Sequence, residues 1–136
     1  AQSGQYNFMR TMKHGEPEAA QLACHEFVNA ALKAVFLLQG RYMPYYKWSF
    51  RALRQLLFTE ELAARLSFIL LADHSDPAVA EEKYTAIEEV ASWIIEDLQG
   101  REITKAVCGD LEKHAYSVND HVRDSEIRNL NILATV

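Results

Sequence analysis

Eleven consecutive residues, Arg41-Tyr42-Met43-Pro44-Tyr45-Tyr46-Lys47-Trp48-Ser49-Phe50-Arg51, carry the side chains best suited to hold a ligand. They supply four tyrosine or tryptophan rings, one phenylalanine and three bases. With a helix from Tyr45, Lys47, Arg51 and Arg54 fall at steps of four and three and share one face. Trp48, Ala52 and Leu56 take the neighbouring face. Rings with a polar edge beside fixed cations suit a phosphate-bearing planar ligand such as a nucleotide, the cations taking the phosphates and the rings stacking on the base. Arg41, Lys47 and Arg51 are the expected contacts to phosphate or to an anionic acceptor, and Tyr45, Tyr46 and Trp48 the expected pocket walls. The same pattern also fits a structural role, with Tyr42, Tyr45 and Trp48 as anchors on a central helix and their O–H and N–H groups at the rim. Both readings are open at the level of sequence.

Other chemistry-bearing residues are sparser. His114 and His121 lie seven apart, two helical turns on one face, and Asp110 lies four before His114. The trio could seed a metal site and hence a metal-dependent hydrolase. Two turns separate the imidazoles by roughly 10 Å along the axis, too far for one ion without a partner helix. Core or interface histidines are the plainer reading. In Cys24-His25-Glu26 adjacent residues point different ways on a helix, so they form no dyad, and Cys24 reads as a small core hydrophobe. The carboxylate pairs Glu60-Glu61, Glu81-Glu82 and Glu88-Glu89 read as solvated helix charges.

The whole chain bounds these readings. Its 136 residues make one domain's worth, enough to bury about two-thirds of the surface of the unfolded chain. It is 49% hydrophobic and 24% charged, with five Gly and three Pro, too few for a loop-rich sandwich. No apolar run is long enough to span a membrane, and no signal-peptide pattern opens the chain. Cys24 and Cys108 form no C-x-x-C pair, so neither a disulfide framework nor a zinc knuckle is expected, and a reduced cytoplasmic protein fits best. The first residue is Ala rather than Met, which points to a chain that is processed, cut, or part of something longer.

The net charge of −5 gives no global reason to expect nucleic-acid binding, yet it conceals an asymmetry. Phe27 to Thr59 holds five bases and no acid, whereas Glu60 to Glu102 holds eleven acids and three bases. The acid-free stretch reads either as a local anion site or as one half of a complementary pair with the acidic stretch across a helix–helix interface.

Helical periodicity dominates the elements that must position these residues. Pro17 suits a first helical position. Ala20, Ala23, Phe27, Ala31, Ala34 and Leu38 then repeat at steps of three and four, and Val28, Val35, Phe36 and Leu37 widen the stripe as in a central helix. Gly40 is the expected stop. A shorter helix is expected from near Pro44 to about Phe58. Thr59 is the expected N-cap of the next, with Leu62, Leu66, Ile69 and Leu70 inward. Asp76-Pro77 is the cleanest helix start, leading through Tyr84, Ile87, Ala91, Ile94 and Leu98 to Gly100. Thr104 can cap a helix with Val107, Leu111, His114, Val118 and Val122 inward, and Asp124 a last short one. Gln5 to Lys13 is weakly helical. Short connections between long helices predict an all-α, up-and-down antiparallel bundle of five to seven helices over residues 1–136.

Gly4-Gln5-Tyr6-Asn7-Phe8, the alanine-rich helix and the run Arg41-Tyr42-Met43-Pro44-Tyr45-Tyr46-Lys47-Trp48 resemble an uncharacterised bacterial family, domain of unknown function family 4037. The segment from His114 through Ile127-Arg128-Asn129 is similar to that family's closing segment. The resemblance implies a helical domain that commonly follows a nucleotidyltransferase domain. By analogy of fold it implies a likeness to the helical half of aminoglycoside nucleotidyltransferases, which helps form the cleft for acceptor and nucleotide. In those enzymes a helical-half carboxylate acts as general base; Glu88 or a neighbour could take that part, but no motif here selects one, and no catalytic residue is assigned. The catalytic half needs a Gly-Ser turn and an Asp-x-Asp pair to hold magnesium and triphosphate, and this sequence has no Asp-x-Asp. Asp73-His74-Ser75-Asp76 has the wrong spacing, and Ser3-Gly4 is in the wrong order. A second helical family that pairs with minimal nucleotidyltransferases and cleaves RNA uses Arg, four to six residues, then His. None of the eight arginines here has a His at that spacing, and Arg10 to His14 leaves three residues between.

The expectation is therefore a substrate- or nucleotide-binding helical half of a nucleotidyltransferase-like protein, not catalytic alone. It would hold no cofactor itself, with magnesium and a nucleoside triphosphate belonging to the missing half. Its expected partners are a nucleotidyltransferase domain in cis, a small-molecule acceptor and a second copy of the chain, with no membrane and no nucleic acid. The alternative is a free-standing interaction module that docks an acidic partner or its own acidic face.

Overall fold

The computed structural model describes residues 1–57 and 59–132. Within them the chain forms α1 (Gln2–Lys13), α2 (Pro17–Leu38), α3 (Tyr46–Leu53), α4 (Glu60–Leu71), α5 (Pro77–Gly100), α6 (Leu111–Asp120) and α7 (Ser125–Arg128). It is an all-α bundle, and no described residue lies in a strand. None of its helices is long and apolar enough to cross a membrane.

The long helices α2 and α5 form the centre. Ala20, Ala23, Phe27, Ala31 and Val35 of α2 are buried, as are Ala86, Ile87, Val90, Ala91 and Ile94 of α5. Small residues on these faces let neighbouring backbones approach. α1 lies along α2, and Gly4 meets it backbone to backbone. α4 closes the opposite side through Ala63, Leu66 and Ile69. α6 packs on α1 and α5 through Leu111 and His114. At the far end of α2, α3 docks through Leu53, with Phe50 and Ala52 half-buried beside it.

Helix ends follow local chemistry. Asp76, Asp110 and Asp124 adopt extended backbone and accept N–H bonds from Ala78, Glu112 and Glu126 at 2.9, 2.8 and 2.9 Å. α2 stops at Gly40, whose φ of 68° lets the Arg41 N–H reach Phe36 O at 2.9 Å and the Gly40 N–H reach Leu37 O at 2.9 Å. α5 ends in the same motif, but Glu102, not Gly100, takes the left-handed position with φ 58°. A side chain there costs about 1 kcal/mol relative to glycine. Glu102→Gly is therefore expected to raise stability by about 1 kcal/mol and the melting midpoint by about 3 °C, while Gly40→Ala should lower both by similar amounts. Thermal unfolding of the two variants checks the pair.

The structure corrects several expected boundaries. α3 begins at Tyr46, because residues 41–45 run extended past Pro44, and it stops at Leu53. The expected end at Phe58 lies outside the described residues. Thr59 precedes α4 but caps nothing with its side chain; its buried hydroxyl donates back to Leu53 O at 2.6 Å. Thr104 starts no helix, since Asp110 does so six residues later, and Val107 stands exposed in the loop between them. On α5 the inward position beside Ala80 and Ile87 is Lys83, and Tyr84 faces the surface.

Candidate functional site

The six expected ligand contacts all lie on the surface around α3. Two buried residues aim them. The Ser49 hydroxyl turns back to donate to Tyr46 O at 2.7 Å, and Leu53 seals the helix against the core. Burying that stripe turns Lys47, Trp48, Arg51 and Arg54 outward. Tyr45 sits at the N-cap with extended backbone, which brings its ring to 4.5 Å from Tyr46 and 6.1 Å from Trp48. The Lys47 ammonium lies 4.7 Å from the Trp48 ring centroid and 5.9 Å from that of Tyr45. Four of the six thus form one cluster, a cation over a ring beside two tyrosines. Arg51 stands one turn beyond Lys47 on the same face. Arg41 lies in the extended segment, its N–H closing the end of α2, and is not drawn into the cluster.

The anchoring role for the aromatics does not hold. Tyr42 is 91% exposed and Trp48 49% exposed, and the anchors are Leu53, Phe50 and Ala52 instead. Charge complementarity across the bundle does not hold either. Among the described residues the ion pairs are Arg65–Glu89 at 2.8 Å and Arg101–Asp97 at 2.7 Å, both inside the acidic stretch. Among the described residues none of these pairs involves Lys33, Arg41, Lys47, Arg51 or Arg54. Lys47, Arg51 and Arg54, on and just beyond α3, make a local positive field on an acidic protein.

The histidine trio does not converge. His114 is buried with both ring nitrogens engaged, Nδ1 with the Thr104 hydroxyl at 3.0 Å and Nε2 with Cys108 O at 2.8 Å. Asp110 caps α6 through Oδ1 and faces the α1–α5 side, and His121 is exposed. Among the described residues no group of three His, Cys, Asp or Glu is placed to hold a metal.

Two cavities lie on other faces. One, of about 820 Å³, is an apolar hollow among α1, α2, α5 and α6 walled by Leu38, Ile94, Leu98 and Val118. The other, of about 450 Å³, is a polar cleft between α1 and α5 lined by Tyr6, Arg10, Lys13, Tyr84 and Glu88. None of the six expected residues lines either. The sequence reading also missed a buried cluster under the α4–α5 turn. The Lys83 ammonium donates to Ala72 O at 2.6 Å and to His74 Nδ1 at 2.9 Å, and His74 Nε2 lies 3.0 Å from Pro17 O. Burial lowers the Lys83 pKa from its ordinary value. Burial likewise pushes the nearby Cys24 thiol up to about 11. The only hint in the sequence is that Lys83 falls on the apolar stripe of α5, three after Ala80 and four before Ile87.

No curated protein and no solved structure matches the chain. Residues 1–49, which span α1, α2, the extended segment and the start of α3 but not the closing segment from His114, match the model of a family described as a domain of unknown function (DUF4037).

Proposed function

We propose that this domain is the helical ligand-binding half of a nucleotidyltransferase-like protein. Tyr45, Tyr46, Lys47 and Trp48 receive a planar, phosphate-bearing ligand, with Arg41 and Arg51 as flanking anion contacts. The Lys47 ammonium over the exposed Trp48 ring carries the reading, because it joins charge and stacking surface in one place, and among the described residues no acid pairs with it. The donor set is ammonium, guanidinium and ring, which suits phosphate and offers no carboxylate to magnesium. Magnesium and the triphosphate chemistry therefore belong to a catalytic domain in cis, and this chain positions.

One observation admits a second reading, an interaction module. The cluster lies on an open surface outside both cavities, so something must complete it. In the first reading the catalytic domain does so; in the second, an acidic partner protein does.

Titration with ATP, followed by calorimetry and by tryptophan fluorescence compared with a Trp48→Phe variant, separates them. Lys47→Ala with Arg51→Ala is expected to weaken ATP binding at least tenfold while leaving the melting transition in place, since both side chains are exposed. Unchanged ATP affinity in the folded double variant overturns the nucleotide reading. Salt-sensitive self-association without any ATP response favours the module.

A further inference from the structure

The polar cleft between α1 and α5 has a charge layout of its own. The two helices run antiparallel there, since Gln5 meets Glu88 while Phe8, further along α1, meets His74 ahead of α5. At one end the Glu88 carboxylate accepts both of its contacts from the Gln5 amide, at 3.2 and 3.0 Å, and Asp110 stands beside it. Gln5 also accepts from the Leu111 N–H at 3.4 Å, which ties this end to the start of α6. At the other end stand Arg10 and Lys13. The Arg10 guanidinium donates to the Tyr6 hydroxyl at 2.8 Å and lies 5.6 Å from the Tyr6 ring centroid. Tyr6, Met9 and Tyr84 form the middle.

The two ends do not neutralise each other. Among the described residues no ion pair involves Arg10, Lys13 or Glu88. Along α1 the acidic end at Gln5 is about 7.5 Å from Arg10 and about 12 Å from Lys13, at 1.5 Å per residue. The cleft is thus a dipole with an aromatic floor, of a volume that suits a small molecule. A single anion or a single cation would meet one favourable and one unfavourable end. An ion pair within one ligand at matching separation meets two favourable ends.

We infer that this cleft binds a rod-shaped zwitterion. Its amine lies at Glu88 and Asp110, its carboxylate or phosphate at Arg10 and Lys13, and its flat middle between Tyr6 and Tyr84. This site is separate from the α3 cluster and does not rest on it.

The probe is O-phosphotyramine, a phenyl ring with an aminoethyl group at one end and a phosphate at the other. Tyramine carries only the ammonium and phenyl phosphate only the phosphate. Calorimetric titration of the full chain is expected to show saturable binding of O-phosphotyramine, with each one-ended analogue at least tenfold weaker. Arg10→Ala with Lys13→Ala should cost O-phosphotyramine more than tenfold and leave tyramine unchanged. Glu88→Gln, which can still bond Gln5, should do the reverse, weakening O-phosphotyramine and sparing phenyl phosphate. Because the α3 cluster also offers cation and ring, the titration is repeated with Lys47→Ala and Arg51→Ala, where the affinity must persist. Absence of saturable binding, equal affinity for phenyl phosphate, or loss of affinity on the α3 substitutions overturns the inference. If Glu88→Gln fails to fold, the substitutions at the exposed Arg10 and Lys13 decide it alone.

Discussion

Gly4→Ala is expected to cost about 3 kcal/mol, the upper part of the range for overpacking a tight contact. A methyl group at Gly4 would sit 2.5 Å from the Ala23 carbonyl oxygen, 2.5 Å from Phe27 Cβ and 2.7 Å from the Phe27 nitrogen. Two of these three atoms are backbone of α2, which cannot rotate away, so α1 must lift. Lifting α1 opens the contact that buries Phe8 and withdraws Gln5 from Glu88 and from Leu111. Helix propensity alone would give the opposite sign, since alanine in a helix interior is better than glycine by about 1 kcal/mol. Gly100, also helical, has nothing within 4 Å of an added methyl, so Gly100→Ala provides the contrast. Chemical denaturation should show the first variant losing about 3 kcal/mol and the second gaining up to about 0.5 kcal/mol. Equal effects at both positions would mean that α1 does not approach α2 this closely.

That glycine marks the limit of what the sequence makes legible. The stops and starts that depend only on neighbours could be read directly. Asp76-Pro77 and Asp124 cap as expected because the cap bond spans two or three residues. Gly40 ends α2 because a left-handed residue is needed there and glycine supplies it. Thr59 and Thr104 look like caps by the same rule and cap no helix. Thr59 donates back to Leu53 O and Leu56 O, and Thr104 accepts from the Ala106 N–H in a turn that no helix continues, while its hydroxyl meets buried His114. Which of these a threonine makes is not written in local spacing.

The α3 cluster divides the same way. Which residue types gather at α3 was legible, since a run of rings and bases stands out in any composition. Whether they face in or out was not. The periodic pattern fits Trp48 inward as well as outward, and Leu53 with Phe50 decides the matter by docking on α2. The α1–α5 cleft was less legible still. Its acidic and basic ends come from segments more than 70 residues apart, and only the antiparallel pairing of the two helices sets Tyr6 beside Tyr84. Lys83 was hidden for a different reason. An amphipathic stripe reads a lysine as an interruption, but its ammonium can cross the core when a carbonyl waits at the other side.

Lys83→Met is expected to cost about 2 kcal/mol at neutral pH. The loss leaves Ala72 O and His74 Nδ1 without their donor, and relief of the buried ammonium returns only part of it. Ala72 follows the last turn of α4, where carbonyls carry the negative end of the helix dipole, so the ammonium acts as a cap supplied from α5. The pH dependence identifies the charge. Burial holds the Lys83 pKa below the ordinary 10.5, so above that lowered value the native state binds fewer protons than the unfolded chain and stability rises with pH, up to 10.5. Cys24 works against it. Its thiol keeps its proton to about 11 in the native state and to 9.0 when unfolded, so stability falls with pH over that interval. In the native sequence the two slopes oppose each other. Lys83→Met removes the rising one, and stability should then fall between pH 9.0 and 10.5. Cys24→Ala removes the falling one, and stability should rise over the same interval. Urea unfolding of both variants at the two ends of that interval measures the slopes. Slopes of the same sign would mean that Lys83 is not held as a buried ammonium, and the α4–α5 turn would then owe its fixity to the His74 bond with Pro17 alone.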